Sequence, residues 1–298
     1  MPLNIAREFS PSERCVLFPG PCMGLFASLP VSSVRLVVTS PFYNMGKKHE
    51  QTMTMEHWAA EQLAVIQECA LALVPGGSLC WQVGNAVRKG EVIPLDVIVY
   101  PLAKKVGLVL RNRIVWHFGH GLHCSKRFSG RYETILWFTK GDGYVFNLDP
   151  VRVPQKYPGK KHFKGAKIGQ LSCNPLGKNP GDTWLIPNVK SNHVEKTAHP
   201  CQFPVELVER LVLALSNPDE WVLDPFLGSG TTAIAALMHG RRAVGAETVP
   251  EYVEIARSRI ADAERGTLRV RPMGRPVFEP GAGVSVPPRT VRIAQEET

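Results

Sequence analysis

The sequence predicts an α/β fold, a doubly wound and mostly parallel sheet with helices on both of its faces. Short apolar runs of strand length alternate with segments whose apolar residues recur at helical spacing. Two of these runs, at 34–39 and 221–225, lead into polar turns shaped by proline or glycine, and ligands of such sheets bind beyond strand ends. From about 140 to 200 the periodicity fades, because Gly, Pro, Lys and Asn dominate.

In the N-terminal half, apolar runs and helix stop signals define the order of the elements. Thr54 is a predicted N-cap, and Pro75-Gly76-Gly77 ends the helix that follows it. The predicted elements are strands at 15–19 and 34–39, a helix after Thr54, a strand at 79–83, a helix at 94–106, and β-rich runs at 108–118 and 132–139.

Regular periodicity returns at Pro204, which suits the first turn of a helix. Strands at 221–225 and 243–246 and a helix at 230–239 follow. Thr248 and Glu251 have the spacing of a capping box for a last helix that reaches about residue 263. Residues 265–298 hold six arginines and repeated prolines without an apolar period, so we expect a mostly disordered tail.

The composition argues against secreted and membrane classes. No apolar run among the 298 residues approaches the roughly 20 residues that span a bilayer, and the N-terminus lacks an apolar core of signal-peptide length. The seven cysteines are odd in number and widely spaced, without a C-x-x-C pair. This pattern favours reduced thiols over a zinc ribbon, and we expect a cytoplasmic protein.

The net charge of +9 is unevenly placed. Residues 151–198 hold nine lysines and arginines against two acidic residues, a local balance of +7. Such a block is a candidate footprint for a polyanion such as nucleic acid. A solvated loop kept soluble by lysine explains the charge alone equally well.

The turn from Asp224 to Thr232 predicts a cofactor site. Its glycines let the backbone approach a ligand, and the next helix presents its N-terminal amides. A P-loop would need a lysine beside Thr231-Thr232, whereas a dinucleotide fingerprint fits loosely. The acid before the glycines favours S-adenosylmethionine, with Asp224 facing the ligand's ammonium or a water. Glu247 closes the next strand, where a carboxylate contacts ribose hydroxyls.

The turn Ser40-Pro41-Phe42-Tyr43 follows the strand at 34–39 directly. Pro41 fixes its own φ and holds Ser40 extended, so that carbonyl and hydroxyl acceptors suited to an exocyclic amine point outward. Phe42 and Tyr43 add flat surface on which a base can stack. By itself the turn is more typical of a strand end with two core aromatics, because aromatic residues after a strand usually pack into the core.

Together, these two turns and His199-Pro200-Cys201-Gln202-Phe203-Pro204 resemble the amino-methylating DNA methyltransferases. That family has a D-P-F-x-G-x-G-T turn for S-adenosylmethionine and an (S/N/D)-P-P-(Y/F) turn for the target amine. The order of the turns resembles the permuted β group, over about residues 12 to 262. Two positions depart from the pattern: Phe42 replaces a second proline, and Pro21 replaces an aspartate that reads adenine.

The resemblance implies a sheet of the S-adenosylmethionine-dependent methyltransferase type with an irregular basic insertion. It places a catalytic half at 1–139, a target-recognition region at 140–196 and a cofactor-binding half at 197–264. The catalytic residues it implies are Ser40, Pro41, Phe42 and Tyr43. The cofactor residues it implies are Thr39, His199, Phe203, Asp224, Pro225, Phe226, Gly228, Ser229, Gly230, Thr231, Thr232 and Glu247. The lysines expected to contact DNA are Lys156, Lys160, Lys161, Lys164, Lys167 and Lys178.

The implied activity is methyl transfer from S-adenosylmethionine to the N4 of cytosine in double-stranded DNA, because serine at the first turn position resembles the cytosine-N4 members. N6-adenine methylation is the alternative. Rival functions are RNA methylation, DNA binding without catalysis and, more distantly, a nicotinamide enzyme. A restriction endonuclease is a candidate partner of the monomer or homodimer. His117, His120, His123 and Cys124 are interpreted as ordinary polar residues, so no metal is expected.

Overall fold

A sheet of nine strands forms the centre of the computed structural model, which describes residues 3–43, 53–119, 121, 123–190, 192–275 and 286–295. The strands are β1 Ile5–Ala6, β2 Cys15–Pro19, β3 Val34–Thr39, β4 Leu73–Val83, β5 Asn85–Arg88, β6 Glu91–Pro94, β7 Val109–His117, β8 Tyr132–Thr139, β9 Thr183–Leu185, β10 Trp221–Asp224, β11 Arg242–Glu247, β12 Leu268–Val270 and β13 Arg289–Val291. The helices are α1 Cys22–Phe26, α2 Met55–Ala72, α3 Leu95–Lys105, α4 Val205–Leu215, α5 Thr231–Met238 and α6 Pro250–Arg265.

The strand order of the main sheet is β1-β2-β11-β10-β3-β4-β8-β7-β9. Every neighbouring pair is parallel except the two pairs made by β8. Two apolar cores cover the two faces. One contains α4, α5 and α6, and the other contains α1, α2 and α3. The predicted doubly wound, mostly parallel sheet is therefore confirmed.

Strands β3 and β10 are neighbours, although 185 residues separate Thr39 from Asp224. From β3 the chain continues through α2 to β4 on one side, and from β10 through α5 to β11 on the other. The chain thus winds in opposite directions from this pair, and a crevice opens beyond the strand ends at such a switch point. The topology therefore brings the two sequence turns together at one crevice.

The structure differs from the predicted secondary structure in three places. The segment 140–196 contains β9, which extends the edge of the main sheet beside β7. The predicted capping box does not form: Val249 is the N-cap of α6, Pro250 begins the helix, and no side chain caps it. The expectation of a mostly disordered tail is wrong for its described part, because β12 pairs with β13.

The C-terminal strand pair belongs to the fold because it covers apolar surface beside α6. Val270, Val291 and Ile293 are buried in the same core as α4, α5 and α6. Apolar periodicity could not predict these three contacts, because the three residues stand among arginines and prolines without a regular apolar spacing. Among the described helices, none combines the length and apolar character that a membrane span requires.

Candidate active site

The glycine turn between β10 and α5 has a backbone that only glycine adopts without strain. Gly228 and Gly230 have φ values of 54° and 79°. Gly228 lies against the ring of His199, so that a Cβ atom at Gly228 would come within 2.9 Å of His199 Nε2. The turn and the His-Pro segment therefore form one wall of the crevice.

Asp224 supports the turn from behind rather than facing the crevice. Its carboxylate accepts hydrogen bonds from Thr39 Oγ1 at 2.6 Å, Thr232 Oγ1 at 2.7 Å and the Phe226 N–H at 3.0 Å. The side chain is buried, and burial raises the pKa of Asp224 to about 6 despite these bonds. The expectation that Asp224 faces a ligand's ammonium or a water at the crevice is therefore wrong, because Asp224 lies outside the crevice lining.

Glu247 closes β11 at the same edge and lines the crevice. Its Oε2 accepts the Gly228 N–H at 2.9 Å, and its Oε1 accepts the Val249 N–H at 2.8 Å. Two backbone bonds thus fix the carboxylate, and each oxygen keeps a second lone pair for a hydroxyl donor. Tyr252 lies nearby and meets the His199 ring edge to face at 4.5 Å.

Arg259 of α6 is hydrogen-bonded to the glycine turn. Its Nη1 donates to the carbonyl oxygen of Ser229 at 2.7 Å, to Ser229 Oγ at 3.1 Å and to Thr231 Oγ1 at 3.0 Å. Burial lowers the pKa of Arg259 to about 10, and buried Glu195 opposes that shift. The Glu195 carboxylate in turn accepts the Val205 N–H at 2.8 Å and the Arg271 N–H at 3.1 Å. This network was not predicted, because its members lie far apart in sequence.

The Ser-Pro-Phe-Tyr turn forms the opposite wall. The Tyr43 hydroxyl lies 3.2 Å from Ser40 Oγ, 2.8 Å from Gln82 Oε1 and 3.1 Å from Glu133 Oε2. Gln82 Nε2 donates to the Glu133 carboxylate. Burial, reinforced by Glu133, raises the pKa of Tyr43 well above its ordinary value, so the phenol stays protonated. Sequence reasoning missed Gln82 and Glu133, although each stands at the crevice end of a predicted strand.

Most of the predicted site residues meet at the crevice. Those that line it are Ser40, Pro41, Phe42, Tyr43, His199, Pro225, Phe226, Gly228 and Glu247. An adjoining recess is lined by Phe203, Ser229 and Thr231. The structure places Thr39, Asp224, Gly230 and Thr232 outside the lining of both cavities. Lining residues that sequence reasoning did not assign include Gly20, Cys22, Cys201, Val249 and Tyr252.

The crevice fits an S-adenosylmethionine molecule by the chemistry of its lining. Glu247 supplies fixed carboxylate oxygens for ribose hydroxyls. Gly228 has no side chain, so the cofactor can approach the backbone of the turn closely. Phe226 and Val249 supply apolar surface beside Glu247 for a flat base. Pro21, where the family pattern has an aspartate, is the N-cap of α1, and its neighbours Gly20 and Cys22 reach the crevice.

Five of the six predicted lysines surround one concavity in the segment 140–196. They are Lys156, Lys160, Lys161, Lys164 and Lys178; Lys167 does not line it. Much of its wall is a small hairpin from 160 to 172, closed by the Lys161–Leu171 bridge and by the bond from the Ser172 N–H to the Lys160 carbonyl. The ammonium groups of Lys156 and Lys164 lie 5.5 and 5.6 Å from the ring centres of Tyr157 and Phe163.

The sequence pattern predicts ordinary polar roles for the histidine cluster at 117–124. His120 lies outside the described residues. Within the described ranges, no group of three or more His, Cys, Asp or Glu side chains is close enough to hold a metal ion.

Comparison with known proteins identifies the family to which the chain belongs. Residues 34–258 match the N6_N4_Mtase family, described as DNA methylase. The chain is 48% identical over 257 residues to the type II methyltransferase M.BglII of Bacillus subtilis, covering 86% of this chain and 71% of that one. It is 30% identical over 256 residues to the DNA adenine methyltransferase YhdJ of Escherichia coli K12, covering 84% and 83%.

Among solved structures, TTHA0409 of Thermus thermophilus, complexed with S-adenosyl-L-methionine, is 32% identical with a TM-score of 0.57, covering 82% of this chain and 93% of that one. The fold and the site thus define an S-adenosylmethionine-dependent methyltransferase. The chain belongs to the N4/N6 family of DNA methyltransferases. Its substrate is DNA, its cofactor is S-adenosylmethionine, and its relatives include enzymes of restriction–modification.

Proposed function

We propose that this enzyme methylates the N4 nitrogen of cytosine in double-stranded DNA. The observation that carries the choice of base is Ser40. A neutral hydroxyl opens the catalytic turn and lines the crevice, as in the cytosine-N4 members that the turn resembles. N6-adenine methylation is the second candidate, supported by the 30% identity to the adenine methyltransferase YhdJ.

Ser40 and the carbonyl at Pro41 would bind the exocyclic amine. An amine conjugated with a ring is a poor nucleophile, and two fixed acceptors pull it toward tetrahedral geometry. The Tyr43 hydroxyl, 3.2 Å from Ser40 Oγ and also bonded to Gln82, orients the serine hydroxyl. When Ser40 donates to Tyr43, its oxygen keeps two lone pairs that can accept from the amine. Bound S-adenosylmethionine supplies an electrophilic methyl group, so the rate comes from positioning and electrostatics.

The target base would enter the crevice by leaving the DNA stack. A stacked base cannot present its amine to a crevice at the edge of a sheet. Phe42 and Tyr43 line the crevice, and their rings would supply surface for the flipped base. The methylated amine then loses its surplus proton to solvent, and the direct transfer needs no covalent enzyme intermediate.

The basic concavity at 156–178 would contact the DNA backbone. Five lysines line it, and lysine ammonium groups bind phosphate oxygens without reading sequence. This assignment makes the segment 140–196 the target-recognition region. With DNA as its substrate, the enzyme would act in the cytoplasm. The type II relative supports a cognate endonuclease as its functional partner.

Identification of the methylated nucleoside tests the proposal. Purified protein is incubated with methyl-labelled S-adenosylmethionine and with unmethylated bacterial DNA or RNA, and the digest is separated into nucleosides. We expect label in N4-methylcytosine from the DNA. Label in N6-methyladenine would establish the second candidate instead. Label only in RNA, or in no nucleoside, would contradict both.

A further inference from the structure

We propose that Trp58 of α2 is a positioning residue that fixes the catalytic turn through the backbone carbonyl of Phe42. This inference rests on the proposed function of the turn and assigns a role to a residue outside the crevice. The Trp58 indole Nε1–H donates to the Phe42 carbonyl at 2.9 Å. The bond links the 40–43 turn to a helix that the proposed function does not otherwise use.

The turn needs a constraint at Phe42. Acceptors for an amine act well only when they are held within about 0.5 Å of their productive positions. Pro41 fixes its own φ and restricts Ser40. At position 42, where the turns that this one resembles have a second proline, the φ of phenylalanine is free to rotate. The missing ring therefore leaves one link of the turn unconstrained by covalent structure.

Trp58 has the rigidity to supply that constraint. Its side chain is fully buried in the core formed by α1, α2 and α3. It lies in the first turn of α2, where Thr54 Oγ1 caps the helix by accepting the His57 N–H at 3.2 Å. A buried indole N–H without a partner is unfavourable, so the bond to Phe42 holds the ring and the turn mutually in place.

The same bond determines which carbonyl serves the substrate. The Phe42 carbonyl points to α2 and is engaged by Trp58, whereas Ser40 and Pro41 line the crevice. The Phe42 N–H makes no hydrogen bond among the described residues. Proline at position 42 would therefore remove no bond, and it would restore the covalent constraint on φ.

A double-mutant cycle between Trp58 and Phe42 tests the proposal. In the native chain, Trp58→Phe keeps an aromatic ring and removes the donor; we expect kcat to fall about tenfold, with an unchanged dissociation constant for S-adenosylmethionine. In the Phe42→Pro chain, the same Trp58→Phe change should alter kcat by less than about threefold, since proline already fixes the turn. Equal losses in both backgrounds, or no loss in either, would overturn the proposal.

A second substitution separates the hydrogen bond from ring packing. Benzothienylalanine at position 58 keeps the bicyclic shape and has sulfur in place of N–H. We expect it to lower kcat as Trp58→Phe does and to speed hydrogen exchange of the 40–43 peptide several-fold, at an unchanged thermal midpoint. Native kcat and native exchange in this variant would overturn the proposal even if Phe42→Pro were inactive.

The exchange measurement separates this proposal from the proposed function. A wild-type protein that labels no nucleoside would contradict the function. Unchanged exchange of the 40–43 peptide in both Trp58 variants would contradict only the positioning role.

Discussion

At the scale of single residues, Asp224 joins three segments without reaching the crevice. Its buried carboxylate accepts from Thr39 in β3, from Thr232 in α5 and from the turn backbone at Phe226. Ionisation of a buried carboxyl is costly, and three donors compensate only part of that cost. The residue therefore stabilises the site geometry at a price in folding stability at neutral pH.

The stability contribution of Asp224 should fall as the pH rises. Its folded pKa of about 6 exceeds the ordinary value of 3.8, so the folded state binds the proton more tightly than the unfolded state. The contribution is complete below pH 3.8 and is lost as the pH rises through 6. We expect the unfolding free energy of wild type relative to Asp224→Asn to drop by about 2 kcal/mol between pH 4 and pH 7. Urea titrations measure it; a constant difference would contradict the shifted pKa.

Tyr43 should act through both its ring and its hydroxyl. Tyr43→Ala removes the stacking surface, so we expect kcat/KM for DNA to fall about 100-fold or more, with S-adenosylmethionine binding nearly intact. Tyr43→Phe keeps the ring and loses the bonds to Ser40 and Gln82, for an expected loss of about tenfold. Calorimetry of cofactor binding is the control. Native turnover by Tyr43→Ala would exclude the stacking role.

At the scale of elements, the glycine turn and the His-Pro segment depend on each other's shape. The missing side chain of Gly228 leaves room for the His199 ring, and its carboxylate-bound N–H ties the turn to β11. Neither segment has this geometry alone. Each segment has its observed position at the crevice because it packs against the other.

Gly228→Ala should therefore weaken cofactor binding. The new Cβ would come within 2.9 Å of His199 Nε2 in addition to its unfavourable φ. Gly141→Ala is the matched control, since φ there is 77° and nothing lies within 4 Å of the Cβ position. We expect about a tenfold weaker affinity for S-adenosylmethionine in Gly228→Ala only. Equal affinities of the two variants by calorimetry would show that the His199 contact is unimportant.

At the scale of the whole molecule, the C-terminal strand pair covers buried charge as well as apolar surface. Glu209 of α4 is buried, and Arg289 Nη2 in β13 donates to its two oxygens at 2.6 and 2.5 Å. Burial alone would raise the pKa of Glu209, but the bonds from His239 and Arg289 outweigh burial and lower it. A segment more than 70 residues along the chain thus completes the environment of α4.

Arg289→Met should destabilise the fold by about 2 kcal/mol, because it leaves a buried carboxylate with one partner fewer. Arg269→Met, at an exposed position in the paired strand β12, is the control. Since the folded pKa of Glu209 is lowered, the destabilisation should diminish as the pH falls through that pKa. Equal unfolding midpoints of the two variants at pH 7 would contradict a structural role for Arg289.

The uneven charge of the molecule predicts a localised salt effect on DNA binding. Each phosphate contact contributes about 0.9 to the slope of log affinity against log salt. Lys160→Ala with Lys161→Ala should therefore reduce the magnitude of the slope by about 2. Lys104→Ala with Lys105→Ala removes the same charge from exposed positions at the end of α3. Anisotropy titrations of duplex DNA at salt concentrations from roughly 50 to 200 mM measure these slopes. Equal slopes for the two double variants would exclude the lysine concavity as the DNA-backbone contact.

The alternation of strands and helices, the glycine turn and the Ser-Pro-Phe-Tyr turn can all be predicted from the amino-acid sequence. These features depend on local chemistry: apolar periodicity, the φ values open to glycine, and the restrictions of proline. The resemblance of Ser40 to Tyr43 and Asp224 to Thr232 to family motifs then identified the cofactor and the class of reaction, which the family match supports.

The contacts between distant residues depend on the tertiary structure. It turned Asp224 inward to Thr39, brought Gln82 and Glu133 to Tyr43, engaged the Phe42 carbonyl with Trp58 and packed the C-terminal strands on the core. Such contacts join positions from 16 to 185 residues apart. Local periodicity reports which face of an element is apolar, and it carries no information about which distant partner that face or a polar strand end will meet.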